Sequence, residues 1–478
     1  MSNNLINSNF AAQNKRKNFF AMAFDNRDSI DLGKGNIYSL FKDIFFPTLL
    51  GLTFNTVFIL TDGIFVGNGI GDGGLACVNL VAPIMMLVTG LGMMFGTGCS
   101  VVAAIHLSHG NEKAARINVT QAFVTSAVFE ILLVVVFYSF PDKILHILGV
   151  SDSLMTLAMD YYLWFIPTCL FLVFQIIGGF VIRLDGSPRY AMFANIVPAI
   201  VNIILDFTFI FPCKMGLVGA ALATDIGTCV GTLMVLYYII FKSKTLRFYR
   251  LKRTLTSIRL SLRNIGYMMN IGFSAFVGEF AISVMMFTGN VMFGKYLGDD
   301  GIAAFSVICY LFPVVFMVYD AVALSAQPII SFNYGAGLLG RVWKVFRYGA
   351  GLSVGFSLII FVLFCFFAPT IISVFLERGS VSFEAAVGGL PFFAVGFIFM
   401  SFNIVAIVYF QSIERAVFST ILMTLRGIVF PVAAFIVLPE MMGVEGLWLS
   451  VATAEFLATF IAVGWLVKNR SFVCQSEK

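Results

Sequence analysis

Charge is what this 478-residue chain has least of. Asp, Glu, Lys and Arg together make up 12% of it, about half the share found in soluble globular domains. With 59% hydrophobic residues and a mean hydropathy of +0.95, that deficit excludes an ordinary water-soluble fold. Metal and redox chemistry also lack their usual patterns. The three histidines (His106, His109 and His146) form no ligand set, with His106 and His109 read into a polar loop. The eight cysteines are scattered through mostly apolar runs without a CxxC pair, and read as small packing residues. The first 43 residues are polar and contain no signal-peptide apolar core; residues 19–24, FFAMAF, are too short to span a bilayer and suit its surface. The glycine run GLGMMFGTG at 90–98 is not followed by Lys-Ser/Thr, so it is no phosphate loop; Gly92 and Gly96 have the GxxxG spacing of close helix packing.

What is abundant is long apolar sequence. The runs are far longer than the ten-residue alternation of an outer-membrane barrel. Helices of about 20 residues are predicted at 44–66, 75–105, 119–140, 157–180, 191–212 and 216–241, then at 266–294, 301–331, 346–368, 387–411, 417–439 and 444–467. Between the sixth and seventh spans lies the most basic segment, with Lys242, Lys244, Arg247, Arg250, Lys252, Arg253, Arg259 and Arg263 and no acid. The positive-inside rule puts it in the cytoplasm, where a surface helix attracted to anionic lipid is expected. Lys113, Arg116, Arg183, Arg189, Arg341, Lys344, Arg347 and Arg415 fall on the same side; only Lys143, Lys214, Lys295 and Arg378 fall on the other. Both termini are therefore expected inside. The resulting division is a polar cytoplasmic N-terminus (1–43), a first lobe (44–241), a basic linker (242–265), a second lobe (266–467) and a tail (468–478).

An offset of 227 superimposes the halves without a gap. Gly67, Gly71, Asp72 and Ala76 match Gly294, Gly298, Asp299 and Ala303; Gly110 matches Gly337; Pro212, Gly216 and Gly219 match Pro439, Gly443 and Gly446. Two homologous bundles of six helices each enter the membrane with one orientation, so they are parallel repeats with a pathway expected between them. The repeat is also an internal control. Asp62, Asn202, Asp206 and Thr224 align with Gly289, Val429, Ala433 and Val451. Packing needs shared by both bundles should leave similar residues in both, so polar groups confined to the first bundle point to specialised chemistry there.

Seven acids lie at membrane depth: Asp62, Glu130, Asp206, Asp225, Glu279, Asp320 and Glu455. The single base at that depth, Arg426, is expected to snorkel to the cytoplasmic rim. An ionised group in lipid costs about 2.5–3.5 kcal/mol on insertion scales, so such groups usually face a cavity and act there. Asp206 and Asn202 are four apart on one helical face. With Asp62 and Thr224 they supply carboxylate, amide and hydroxyl oxygens for a proton or a transient Na⁺, and the residues alone do not choose between the two. Glu279 and Asp320 are candidates for contacting a cationic substrate in the second lobe. Glu130, Asp225 and Glu455 have no evident partner. Prolines in the spans, Pro47, Pro83, Pro167, Pro198, Pro313, Pro391 and Pro431, favour bending.

The pieces TDGIFVGNGIGDGGLA, GLGMMFGTGCSVVAAIHLSHGNEKAAR, NIILDFTFIF with MGLVGAALAT, and QPIISFNYGAG resemble the multidrug and toxic compound extrusion (MATE) family, nearest its DinF-like and MepA-like prokaryotic branch. The match runs from about 41 to 466. The resemblance implies an all-α integral membrane protein of twelve transmembrane helices, its two lobes set around a central cleft. It also implies a multi-pass location in a prokaryotic inner membrane, and export of cationic or amphipathic drugs by H⁺ or Na⁺ antiport. No enzyme activity, no cofactor beyond the coupling ion and no nucleic-acid partner are expected, and a monomer is. Carried over from DinF-like members, the cation site falls on Asp62, Asn202, Asp206 and Thr224; Glu279 is similar to the seventh-helix acid of NorM-like members. Ser274 stands where the family usually has proline, and Asp320 matches no family marker. The competing function is a lipid-linked saccharide flippase of the same superfamily. It would suit a cavity lined by Arg and Lys, which are nearly absent from these spans.

Overall fold

The computed structural model describes residues 31–252 and 254–475; the 19–24 run lies outside them. Apolar sequence with its backbone polar groups paired internally leaves helices as the economical spanning form here. The first lobe contains α1 (Ile37–Ile70), α2 (Asp72–Ser108), α3 (Glu112–Ser139), α4 (Met155–Leu184), α5 (Pro188–Ile210) and α6 (Gly216–Lys242, ending in a π-turn). A seven-residue helix, Pro141–Ile147, links α3 to α4. The continuous helical stretch Leu255–Gly335 breaks at Gly298, giving α7 (255–297) and α8 (299–335). Then come α9 (Leu339–Ile372), α10 (Val381–Ser412), α11 (Ala416–Met442) and α12 (Val444–Gln475). That makes twelve spans, as the apolar runs indicate. Most extend several residues further than those runs, and His106 lies inside α2 rather than in a loop.

Local chemistry sets the ends. Asn36, Asn111, Thr254 and Ser380 accept backbone N–H bonds at the starts of α1, α3, α7 and α10. The repeat is visible in the backbone itself. Gly71 and Gly298, Gly110 and Gly337, and Gly216 and Gly443 each pair at 227, and all six have positive φ between 60° and 95°. L side chains rarely adopt that conformation, so glycine marks the same turns twice.

The bundles meet along α2 and α8, and each of these also packs on the other bundle's neighbouring helix. Ser100 Oγ donates to Gln327 Oε1 at 3.1 Å, and Gly335 lies against Ser108. Both pairs are 227 apart, so the axis relating the lobes passes between them. Gly98 lies on the Met268 carbonyl and Gly272 on the Met94 carbonyl, approaches with no room for a Cβ. On this basic side the first lobe and the inner half of the second share one apolar core; the opposite half of the second lobe has its own, built on Phe293, Phe305, Phe393 and Trp448. The lobes are thus joined on the basic side.

The linker is not a surface helix throughout. Residues 243–252 are irregular and lie on the first lobe. Leu246 is fully buried, Thr245 bonds Asp185, and Arg116 donates to the Thr245 and Lys244 carbonyls at 2.8 and 3.2 Å. Unpaired backbone carbonyls supplied by the irregular segment are what the guanidinium needs. From Leu255 the chain continues directly into α7, which stays helical through Ser274.

Candidate functional site

Helices α1, α5 and α6 bring Asp62, Asn202, Asp206 and Thr224 into one cluster. Asn202 and Asp206 share the buried face of α5, and Gly227 on α6 sits against Asn202 and the Pro198 carbonyl, so the two helices approach closely. Asn202 Nδ2 donates to Thr224 Oγ1 at 3.3 Å, and Thr224 Oγ1 in turn donates to the Ala220 carbonyl at 3.1 Å. Asp206 is 0% exposed. Its carboxyl group is in contact with that of Asp62, and Tyr161 of α4 stands within electrostatic reach of both. Asp62 Oδ1, Asn202 Oδ1 and both Asp206 oxygens are buried with no donor among the described residues. Asp62 lies two turns before the end of α1 at Ile70 and is half-buried.

The second bundle builds nothing comparable at the aligned positions. Gly289, aligned with Asp62, lies against the Phe305 ring. Helix α11 contains a π-turn, Leu425–Val429, that α5 lacks. The extra residue in that turn rotates the rest of the helix, and Val429 and Ala433 face outward where Asn202 and Asp206 face in.

Mostly in the second lobe, α7, α8, α10, α11 and α12, with Met93 and Thr97 of α2 and Phe180 of α4, enclose a cavity with about 1010 Å³ of atom-free space, counting its open mouth. Phe180, Phe312, Phe316, Met285, Met400 and Met423 give it an apolar, adaptable wall. Glu279 and Asp320 both line it, half-buried and within electrostatic reach of each other. Neither has a protein hydrogen bond among the described residues.

Arg426 lines the cavity too, and it does not snorkel. Its side chain is buried and forks onto Glu455, with Nη2–Oε1 at 2.6 Å and Nε–Oε1 at 2.9 Å. Asn403 Nδ2 completes the carboxylate at 2.8 Å. A carboxylate with two acceptor oxygens one helix away satisfies the guanidinium better than a long reach to the rim. Asp225 also gains a partner, the Thr168 hydroxyl. Asn403 and Tyr161 escaped the sequence reading. Each is one polar group in an apolar span, and only the facing helix gives it meaning.

Among the described residues no His, Cys, Asp and Glu group has metal-binding geometry. The chain matches the MatE family profile twice, at residues 47–208 and 274–436, the second match starting 227 after the first. It is 22% identical over 458 residues to the multidrug export protein MepA of Staphylococcus aureus (strain N315), covering 93% of this chain and 97% of that protein. Among solved structures it resembles a multidrug resistance MATE family transporter in an outward-facing conformation, with TM-score 0.86 and 22% identity over 93% of this chain and 98% of the other. A MOP superfamily transporter from Pyrococcus furiosus Vc1 (DSM3638), whose reverse-polarity binding pocket suggests a different function for it, gives TM-score 0.84 and 22% identity over 94% and 98%. A profile that matches both halves, and together more than half of the chain, establishes that the chain belongs to the MatE family.

Proposed function

We propose that this protein exports organic cations or amphipathic drugs by antiport against H⁺ or Na⁺, rocking one lobe against the other. The observation that carries the reading is the contact between Asp62 and Asp206, with four buried oxygens around it and no donor. Two touching carboxyl groups cannot both stay ionised unless a cation lies between them; without one, the pair holds a proton. Asn202 and Thr224 add the amide and hydroxyl oxygens that a hard cation prefers. Ion and drug stabilise opposite-facing states, so each promotes release of the other.

The drug is assigned to the second-lobe cavity, with Glu279 and Asp320 as its counter-charges. Arg426 is already neutralised by Glu455, so the cavity keeps a negative surplus. That surplus disfavours the flippase alternative, whose pyrophosphate would need free guanidinium or ammonium groups. The basic side is read as cytoplasmic by the positive-inside rule. The joined side of the lobes is then the inner one, and this conformation faces outward. The site is placed in a prokaryotic inner membrane, with both termini in the cytoplasm and the protein acting as a monomer.

The test is efflux of ethidium from proteoliposomes under a pH gradient, and separately under a Na⁺ gradient. One gradient should drive wild-type transport, and Asp206→Asn should abolish it while leaving thermal unfolding nearly unchanged. Full gradient-driven efflux by Asp206→Asn would overturn the site. Ethidium movement driven by neither gradient, alongside translocation of a lipid-linked sugar, would establish the flippase instead.

A further inference from the structure

Besides the Asp62–Asp206 pair, the first lobe holds two more acids that the proposed exchange does not use, Glu130 buried and Asp225 half-buried. Glu130, on α3, is 0% exposed, and neither of its carboxyl oxygens has a hydrogen-bond partner among the described residues. Asp225, on α6, is held by the Thr168 hydroxyl of α4. Cys169, next to Thr168, is within electrostatic reach of both Glu130 and Asp225, so the two acids flank α4 at one level. The titratable groups around them are Cys169 and Tyr162 of α4, Tyr138 of α3, and Tyr161 facing Asp225. Among the described residues no basic side chain acts on either acid.

The second bundle shows what packing alone requires at these places. The counterpart of Glu130 at 227 is Ser357, whose hydroxyl is satisfied by Tyr319 at 2.8 Å. Thr168, Cys169 and Asp225 correspond to Val395, Gly396 and Ala452, where Gly396 simply packs on the Ala452 backbone. Helices α3 and α9 begin 227 apart, so the register holds here. One bundle closes this contact with small or apolar residues and a satisfied serine; the other inserts two acids. An enclosed carboxylate with no donor and no cation is strongly disfavoured, whereas its protonated form is tolerated. Neither oxygen of Glu130 is bonded to another described residue; one proton is enough to neutralise it, whereas Na⁺ would need several oxygens gathered around it.

We propose that Glu130 and Asp225, on either side of α4, form a second proton-binding site of the first lobe, distinct from the Asp62–Asp206 pair, which discharges its proton when substrate enters the second-lobe cavity. The proposal rests on the ion-driven export reading but makes a separate demand on it. If the driving ion at Asp206 is Na⁺, Glu130 and Asp225 still exchange protons.

The test uses the full-length protein in lipid. Infrared difference spectra on titration, in H₂O and D₂O, should show a protonated carboxylic C=O band that Glu130→Gln removes and Asp206→Asn retains. On adding ethidium, wild type should release more protons than Glu130→Gln or Asp225→Asn, as measured with a pH-indicator dye. Glu130→Gln keeps size and neutrality, so its unfolding temperature should match wild type; Asp225→Asn is the second probe should it not. A C=O band unchanged in Glu130→Gln, or equal proton release by wild type and both variants, would overturn the second site. Loss of gradient-driven efflux in Asp206→Asn with that band intact would leave it standing, because the two readings fail separately.

Discussion

Thr224 holds Asn202 by its amide nitrogen and so leaves the amide oxygen of Asn202 without a donor beside Asp206. That single bond fixes which end of the amide the site presents. Thr224→Val keeps the shape and removes the acceptor, and the loss of one buried hydrogen bond costs about 0.5–1.5 kcal/mol. Apparent affinity for the driving ion should fall roughly three- to tenfold, with substrate affinity in the second-lobe cavity unchanged. Efflux rates against ion concentration measure the first and ethidium fluorescence anisotropy the second. An unchanged ion dependence would mean that Asn202 is held by its helix rather than by Thr224. These residues could be picked out in the sequence because lipid tolerates so few polar groups, and because the second repeat has none at the aligned positions. What the sequence could not convey is that Asp62 and Asp206, on helices α1 and α5, actually touch.

At the scale of elements, Arg426, Glu455 and Asn403 tie α11, α12 and α10 together inside the second lobe. Breaking a buried pair by removing one partner strands the other charge and costs about 3–5 kcal/mol, whereas replacing both by apolar groups is often neutral. Arg426→Met should therefore lower the unfolding temperature sharply, and Arg426→Met with Glu455→Leu should restore most of it. Thermal unfolding in detergent reads both; equal destabilisation by the single and double variants would show that the pair contributes no mutual stabilisation. The spacing of the two residues gave no hint of this bond. They sit 29 apart on different helices, and Arg426 lies in a π-turn whose extra twist cannot be read from an apolar run. The linker was obscured for a similar reason. A basic composition suits a surface helix, but Asp185 and Arg116, distant in sequence, hold residues 243–252 irregular.

At the scale of the whole molecule, the lobes close on the basic side through contacts that only glycine permits. Gly98 on the Met268 carbonyl and Gly272 on the Met94 carbonyl are the tightest of them, and both oppose α2 to α7. A side chain there must push the lobes apart, at a cost of about 1–3 kcal/mol for overpacking. If the proposed rocking opens this seam, the opposite conformation has no such contact to lose, so the same energy falls on one state alone and shifts the balance by roughly 5- to 150-fold. Gly98→Leu should then widen the distance between spin labels on Lys113 and Lys344, which lie on different lobes at the basic side, as read by pulsed electron resonance. Gly355→Leu is the control, since Gly355 has open space around it and should leave the distance unchanged. Identical distance distributions in Gly98→Leu and wild type would mean that the α2–α7 contact persists through the cycle. The rocking would then have to pivot on this seam rather than open it.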